Sequence, residues 1–286
     1  MKHSRNIAAL VGIITVLAGL AAGMGIFSSG GPGPYEYESI RGETVEIYGL
    51  GLYRHMSADV APQGIAQDVI TLFVAIPALL IAFVFENRGS LRARYLLSGI
   101  LGYFLVTYLF YLVMAMYNVL FLAYVVLLGS SFFAFALCLM SFETENLPEH
   151  FSDSVPVKTA GGFLIFNTVS IALLWLGVVV PPLLDGTVVP LQTEHYTTLI
   201  VQGLDLALLL PLCFVSAVLF MKRRPMGYLL APVYLVFLTL MMMALTAKII
   251  AMGMLGQEIF PVIVIIPTFM LASGVLAWKV LAGVRE

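Results

Sequence analysis

Residues 95–142 read YLLSGILGYFLVTYLFYLVMAMYNVLFLAYVVLLGSSFFAFALCLMSF, and this stretch decides the fold class. It contains no Asp, Glu, Lys or Arg. About 20 apolar residues at 1.5 Å per residue cross a hydrocarbon core of roughly 30 Å. The stretch is too long for one such span, and Tyr117-Asn118 is the only polar break near its middle. It therefore predicts two membrane-spanning helices joined by a tight hairpin.

The same length criterion finds six more apolar segments in the rest of the chain. The eight candidate spans are Ile7–Phe27, Val69–Phe85, Leu96–Met116, Val119–Ser141, Gly161–Leu183, Leu199–Phe220, Gly227–Ala251 and Phe260–Val280. We expect an all-α polytopic transmembrane helical bundle of about eight spans, in contact with a lipid bilayer.

The composition agrees with a membrane protein. Of the 286 residues, 61% are hydrophobic and 10% charged, whereas a soluble domain is roughly 45–50% apolar and about 25% charged. The net charge of -2 argues against a nucleic-acid partner, which requires a basic face. The two cysteines, Cys138 and Cys213, lie in apolar runs and predict no disulfide framework.

The positions of the basic residues predict the orientation. Short cytoplasmic loops are enriched in Lys and Arg. With the N-terminus inside, 11 of the 14 basic residues fall on the inner side: Lys2, Arg5, Arg88, Arg92, Arg94, Lys158, Lys222, Arg223, Arg224, Lys279 and Arg285. Only Arg41 and Arg54 lie in outer loops, and Lys248 lies within a span. Both termini are therefore expected in the cytoplasm.

The first span has an alternative interpretation. Lys2 and Arg5 followed by an apolar stretch and Ala21-Ala-Gly23 are also typical of a cleaved signal peptide. The long apolar run and the repeat described next favour an uncleaved helix. Short loops and the absence of eukaryotic sorting signals favour the plasma membrane of a prokaryote.

The chain contains the pattern of an internal duplication. Pro77 and Pro211 are 134 residues apart, and the motifs Tyr95-Leu-Leu and Tyr228-Leu-Leu are 133 apart. A basic loop separates proline and tyrosine in both copies. We expect two parallel four-helix repeats, residues 1–141 and 161–286, joined by an inner linker at 142–160. Parallel repeats are related by an axis along the membrane normal.

A long outer loop, residues 28–67, caps the first half. Tyr35–Ile40 and Glu43–Tyr48 alternate in polarity around Arg41-Gly42, which predicts a small β-hairpin. A short helical turn is expected between Ser57 and Ala66. In the inner linker, an interfacial helix is expected after Pro148.

Polar residues inside the spans are the candidates for a binding site, since ionisable groups at membrane depth are costly. Asp205 and Gln202 share one helical face. Asp68 and Thr71 are the matching pair in the first half. These four residues, with Lys248 as counter-ion, predict a polar cavity between the halves near the outer leaflet that binds a substrate or ion.

Each of these residues also has a structural interpretation. Both carboxylates would cap helix N-termini, where the helix dipole favours negative charge; this suits Asp68, which lies at the predicted start of its span. Lys248 would extend its amine to the outer headgroups.

No residue pattern predicts a cofactor. His55 and His195 both lie in outer loops and are the only candidates for a metal site above the bundle. Spacings such as His-Glu-x-x-His are missing, so no metal is predicted. Walker, kinase and Gly-x-Ser-x-Gly patterns are missing as well, which disfavours an enzyme.

Three classes of function remain from the sequence. A transporter or permease for a small solute or ion is favoured by the parallel halves, the matched prolines and the polar pairs. A sensor or assembly subunit would instead bind a protein partner at the outer loop. A membrane-embedded enzyme is the third class.

Overall fold

Eight long helices dominate the part of the chain, residues 4–286, that the computed structural model describes. In chain order they are α1 Ser4–Phe27, α2 Ala61–Asn87, α3 Leu91–Val113, α4 Phe121–Leu139, α5 Val157–Asp185, α6 Ile200–Met221, α7 Pro225–Met254 and α8 Val262–Ala282. All of them are long and apolar enough to cross a membrane. A mainly helical, multi-pass membrane protein is thereby confirmed.

The outward faces of these helices are apolar. Large side chains such as Val16, Phe73, Leu173 and Trp278 are between 61% and 68% exposed. Soluble proteins rarely expose contiguous apolar patches larger than a few hundred Å². A surface of this kind is suited to lipid.

The helices pack as two groups. In the first group, each of α1 to α4 packs on the next, and α4 returns to α1. Helices α5 to α8 pack in the same order, and α8 returns to α5. The groups meet along α3 and α7, which are the most buried helices. The first turns of α2 pack on α7, and the first turns of α6 pack on α3.

A glycine allows α3 and α7 to approach closely. A Cβ atom on Gly99 of α3 would overlap the side chain of Val236 and the carbonyl oxygen of Val233, both on α7. Nearby, the Tyr95 hydroxyl donates a hydrogen bond to the carbonyl of Tyr228 at 3.0 Å. Small residues at helix crossings are what close packing in a bilayer requires.

Helices α2 and α6 each contain one widened π turn, Thr71–Ala75 and Asp205–Leu209. In each case a proline, Pro77 or Pro211, follows two residues later. Proline has no N–H, and its ring crowds the carbonyl one turn earlier. In a π turn, each backbone hydrogen bond joins residues five apart, and this wider turn leaves room for that carbonyl.

The long loop between α1 and α2 contains the expected β-hairpin. Strands β1 Tyr35–Glu38 and β2 Thr44–Ile47 are antiparallel, with Tyr35 opposite Ile47. Gly42, at φ +82, occupies the left-handed position in the connecting turn. We call the end of the bundle that carries this hairpin the hairpin end. The loops 114–120, 186–199 and 255–261 lie at the same end.

Two local predictions were wrong. Helix α2 begins at Ala61, with Pro62 in its first turn, rather than at Val69 after a separate short helical turn. The inner linker forms a 3-10 helix, Thr144–His150, that contains Pro148 instead of following it. Lys2, one of the basic residues used for the orientation, lies outside the described residues.

Arg41 links the hairpin to the loop between α5 and α6 by hydrogen bonds. Its guanidinium donates to the carbonyl of Glu194 at 2.8 Å and to that of Tyr196 at 2.5 Å. The Tyr196 hydroxyl accepts a hydrogen bond from the Ser57 N–H at 3.2 Å. Burial raises the pKa of Tyr196 to about 12, so this hydroxyl stays protonated. The two groups of helices are thus joined at the hairpin end.

We expect Arg41→Ala to loosen loop 186–199. The change removes two charge-assisted hydrogen bonds, and a loss of about 2 kcal/mol is reasonable for a half-buried pair. Hydrogen–deuterium exchange in this loop should then be roughly 30-fold faster, since 1.4 kcal/mol corresponds to a factor of ten. Arg54→Ala is the control, because within residues 4–286 the Arg54 side chain is hydrogen-bonded to the neighbouring His55 alone. Unchanged exchange in Arg41→Ala would contradict this role.

Candidate functional site

Asp205 is the first residue of the π turn in α6 and is half-buried. The indole N–H of Trp175, on α5, donates to its Oδ2 atom at 2.8 Å. Within residues 4–286, Oδ1 of this carboxylate has no hydrogen-bond partner. One oxygen of Asp205 is therefore held by the protein and the other is available to a ligand.

Asp205 lines a cavity of about 270 Å³ inside the second group of helices. Its walls come from α5, α6, α7, α8 and the segment just before α8. The lining residues are Asn167, Ile171, Leu174, Trp175, Asp205, Leu209, Leu210, Tyr234, Phe237, Leu238, Met241, Met242, Leu245, Ile249, Met252, Glu258, Ile259, Val262 and Ile266. Most of them are apolar, and all belong to one half, whereas the sequence placed a polar cavity between the halves.

The cavity reaches the surface between α5 and α8. Leu174 and Val262, which line it from these two helices, are 53% and 43% exposed. Farther from the hairpin end the same two helices touch, since Phe269 of α8 lies 5.6 Å from the ring of Phe166 on α5. Leu174 and Val262 lie nearer the hairpin end than this contact, so the exposed part of the cavity wall is on the side of the bundle toward that end.

Three further polar side chains, Asn167, Tyr234 and Glu258, reach the cavity wall. Asn167 is 1% exposed, and its amide oxygen has no hydrogen-bond partner within residues 4–286. A buried polar atom without a partner is costly and needs an explanation. The Tyr234 hydroxyl, in contrast, donates to the carbonyl of Leu209 in the π turn at 3.0 Å.

The other residues predicted in the second half lie close by. Lys248, on α7, interacts electrostatically with both Asp205 and Asp68. In the described part of the chain, no ion-pair contact joins Lys248 to either carboxylate. Gln202 is half-buried, one turn before Asp205, and does not belong to the cavity lining.

Asp68 and Thr71 occupy a different environment in the first group. Asp68 is 1% exposed and accepts hydrogen bonds from the hydroxyls of Tyr53 at 2.5 Å and Tyr111 at 3.0 Å. Thr71 is fully buried and shares a 2.9 Å hydrogen bond with the Tyr103 hydroxyl. The expected capping role of Asp68 is wrong, because α2 begins seven residues earlier, at Ala61.

The tyrosines around Asp68 were missed by the sequence reasoning. Tyr103, Thr107 and Tyr111 recur every four residues and so form one stripe on α3. Gln67 contacts this stripe by donating to Tyr103 at 2.8 Å and to Thr107 at 3.1 Å. The spacing was visible in the sequence, but it gives no indication of which helix the stripe faces.

A glycine of α1 completes the Asp68 environment. A Cβ atom on Gly25 would overlap the carboxylate of Asp68. Asp68 is therefore enclosed by α1, by the loop that carries Tyr53, and by α3. It belongs to the structural interior of the first group.

His55 and His195 do not converge as metal ligands do. Nε2 of His195 lies 3.0 Å from the backbone carbonyl of His55, whose own ring lies 3.1 Å from Nε of Arg54. Burial lowers the pKa of His195, so its neutral ring donates to that carbonyl. Residues 4–286 hold no cluster of three or more His, Cys, Asp or Glu side chains suited to a metal.

The fold and the site together describe a membrane protein with eight long apolar helices and with two carboxylates, Asp205 and Glu258, in the wall of a largely apolar cavity. Comparison of the chain with protein-family models, with curated proteins and with solved structures gives no match. The function is therefore inferred from the geometry of the cavity.

Proposed function

We propose that the chain is a transporter or permease for a small solute, with the Asp205 cavity as its binding pocket. The observation that carries this proposal is a carboxylate with one free oxygen in a 270 Å³ cavity at membrane depth. Ligand pockets are typically apolar, with a few placed polar groups and volumes of roughly 300–1,000 Å³. This cavity lies just below that range and is suited to a small ligand.

The proposal includes two parallel four-helix repeats. The order of packing, α1 to α4 and α5 to α8, is the same in both groups. The contacts between the groups are also reciprocal: α2 packs on α7, and α6 packs on α3. The π turns begin 134 residues apart, at Thr71 and Asp205, which is also the spacing of the two prolines. These correspondences support a pseudo-two-fold axis between α3 and α7.

The carboxylates of the two repeats have different surroundings, and this difference supports an asymmetric function. In the first repeat the carboxylate of Asp68 is enclosed by tyrosines and by Gly25. In the second, the carboxylate of Asp205 faces a cavity. We infer that the first repeat is the rigid scaffold and that the second repeat binds the solute.

We also propose the orientation given by the basic loops. Arg88, Lys222 and Arg223 lie in the short turns opposite the hairpin end. The positive-inside rule places these turns in the cytoplasm. The hairpin end and the mouth of the cavity then belong to the outer half of the membrane, with eight spans and both termini inside.

A protein partner at the hairpin is the second candidate function. Ile40, at the tip of the hairpin, is 88% exposed, and Tyr35 and Tyr37 on β1 are 40% and 44% exposed. Aromatic and apolar residues in the solvent favour a protein interface. A sensor or assembly subunit would use this surface and would not need a cavity that opens to both sides.

Cysteine labelling separates the two candidates. In a variant with Cys138→Ala and Cys213→Ala, we introduce Asn167→Cys at the cavity wall. A charged, membrane-impermeant thiol reagent is applied to right-side-out and to inside-out vesicles. A transporter alternates the access to its site, so we expect labelling from both sides.

Leu212→Cys is the matched control. Leu212 is 44% exposed on α6 but does not line the cavity, so a charged reagent should not reach it through lipid. Labelling of Asn167→Cys from one side only, or from neither, would contradict transport and favour the partner at the hairpin. Leu245 is also on the cavity wall, so Leu245→Cys replaces Asn167→Cys as the labelled position if Asn167→Cys does not fold.

A further inference from the structure

The polar groups of the cavity differ in how much hydrogen-bonding capacity they have left. The two aromatic donors already have acceptors within the protein, because the Trp175 N–H donates to Asp205 and the Tyr234 hydroxyl donates to the Leu209 carbonyl. The free Oδ1 of Asp205 and the unpaired amide oxygen of Asn167 are acceptors; within residues 4–286 the one free donor beside them is the Asn167 amide NH2, and no donor carries a positive charge. The cavity therefore offers acceptors to a ligand that can supply N–H groups or positive charge.

The charge of the cavity wall also favours a ligand with positive charge. Two carboxylates, Asp205 and Glu258, line the cavity, and no Lys, Arg or His of the described residues belongs to its lining. Lys248 interacts with Asp205 without an ion-pair contact and is shared with Asp68. When ionised, Asp68, Asp205, Glu258 and Lys248 sum to two negative charges. A buried charge is stable only when it is paired, and a monovalent cation at Asp205 would complete the pair.

The remaining walls are suited to an apolar body. Met241, Met242 and Met252 contribute flexible thioethers, which adapt to ligands of irregular shape. Trp175 and Phe237 contribute aromatic rings, and tryptophan is the best side chain for attracting a cation to its face. A dry apolar cavity of about 150 Å³ holds benzene. The volume of 270 Å³ therefore admits one ring with a small substituted head.

The opening indicates how such a ligand arrives. The exposed Leu174 and Val262 place the mouth on the side of the bundle between α5 and α8. A ligand with an apolar body partitions into lipid, so it meets this mouth from within the bilayer.

We propose that the cavity binds a lipophilic organic monocation, an amine or quaternary ammonium on an apolar body the size of one substituted ring. This inference rests on the proposed function, since it assigns a substrate class to the same pocket. The cation pairs with Asp205 beside the Trp175 ring, and the apolar body lies among the methionines.

The experiment compares a cation with its neutral isostere. Benzyltrimethylammonium and neopentylbenzene have nearly the same shape, but a carbon replaces the charged nitrogen in the second. Thermal unfolding of the full chain in lipid nanodiscs is measured with each compound. We expect the cation to raise the melting temperature and the isostere to have a much smaller effect.

Asp205→Asn tests the role of the carboxylate. The amide oxygen still accepts the Trp175 N–H, so the fold is expected to persist. We expect its affinity for benzyltrimethylammonium to fall at least tenfold. Asp153→Asn, at an exposed position outside the spans, should bind as the unmodified chain does. Trp175→Phe weakens the cation–π contact and removes the N–H bond to Asp205, but it keeps the negative charge of the carboxylate, so it should lower the affinity by a smaller factor.

The outcomes separate this inference from the proposed function. Equal stabilisation by the two compounds, or equal affinity of Asp205→Asn and the unmodified chain for the cation, would overturn the monocation and leave transport standing. Binding of the cation without labelling of Asn167→Cys from both sides would overturn transport and leave the monocation standing.

Discussion

Asp68→Ala is expected to lower the free energy of unfolding by about 3 kcal/mol. The change removes the acceptor of the Tyr53 hydroxyl, and an unsatisfied buried donor costs roughly 1–3 kcal/mol. It also leaves a small void where Gly25 had made room for the carboxylate. For a chain of this size the melting temperature should fall by about 6–12 °C, measured by thermal unfolding in detergent.

A matched pair of tyrosines tests the same explanation. Tyr53→Phe removes a hydroxyl that donates to Asp68, whereas Tyr108→Phe removes a buried hydroxyl without a partner in the described chain. Tyr53→Phe should therefore destabilise the protein, and Tyr108→Phe should be neutral or stabilising. Equal effects of the two changes would mean that the hydrogen bond to Asp68 does not stabilise the first group.

Gly99→Leu is the second change with a large expected effect. Its side chain would have to occupy the space of Val236 and of the Val233 carbonyl on α7. Overpacking costs roughly 1–3 kcal/mol and occasionally more. We expect the upper end, because a backbone carbonyl cannot move aside as a side-chain tip can. Thermal unfolding in nanodiscs measures the loss.

Gly129→Leu is the control for this change. Gly129 lies within α4, and a Cβ atom there meets nothing within 4 Å. Its substitution should leave the melting temperature within a few degrees of the unmodified chain. If Gly99→Leu is tolerated equally well, the close crossing of α3 and α7 does not join the two groups.

Hydropathy was sufficient to locate the spans, because the bilayer imposes both length and apolarity. It failed at the start of α2 for a physical reason. Gln63, Gln67 and Asp68 lower the hydropathy of the first turns, yet Gln67 and Asp68 are buried against tyrosines. Pro62 was a signal for the true start, since proline favours the first turn of a helix.

The site could be predicted only in part. The sequence identified Asp205, because an ionisable residue inside an apolar segment stands out. It could not identify Trp175, which lies 30 residues earlier and is recognised only by the partner that its N–H requires. The cavity depends on how α5, α6, α7 and α8 pack around it, and no residue pattern specifies this packing.

The widened turn at Asp205–Leu209 determines more than a hydrogen-bonding pattern. A residue added to a helical turn rotates everything beyond it by about 100° around the axis. The direction of the Asp205 carboxylate is thereby decoupled from the packing of the rest of α6. If the widened turn moved along α6 by one residue, the Asp205 carboxylate would point in a different direction, while the span would keep its length and its place in the bilayer.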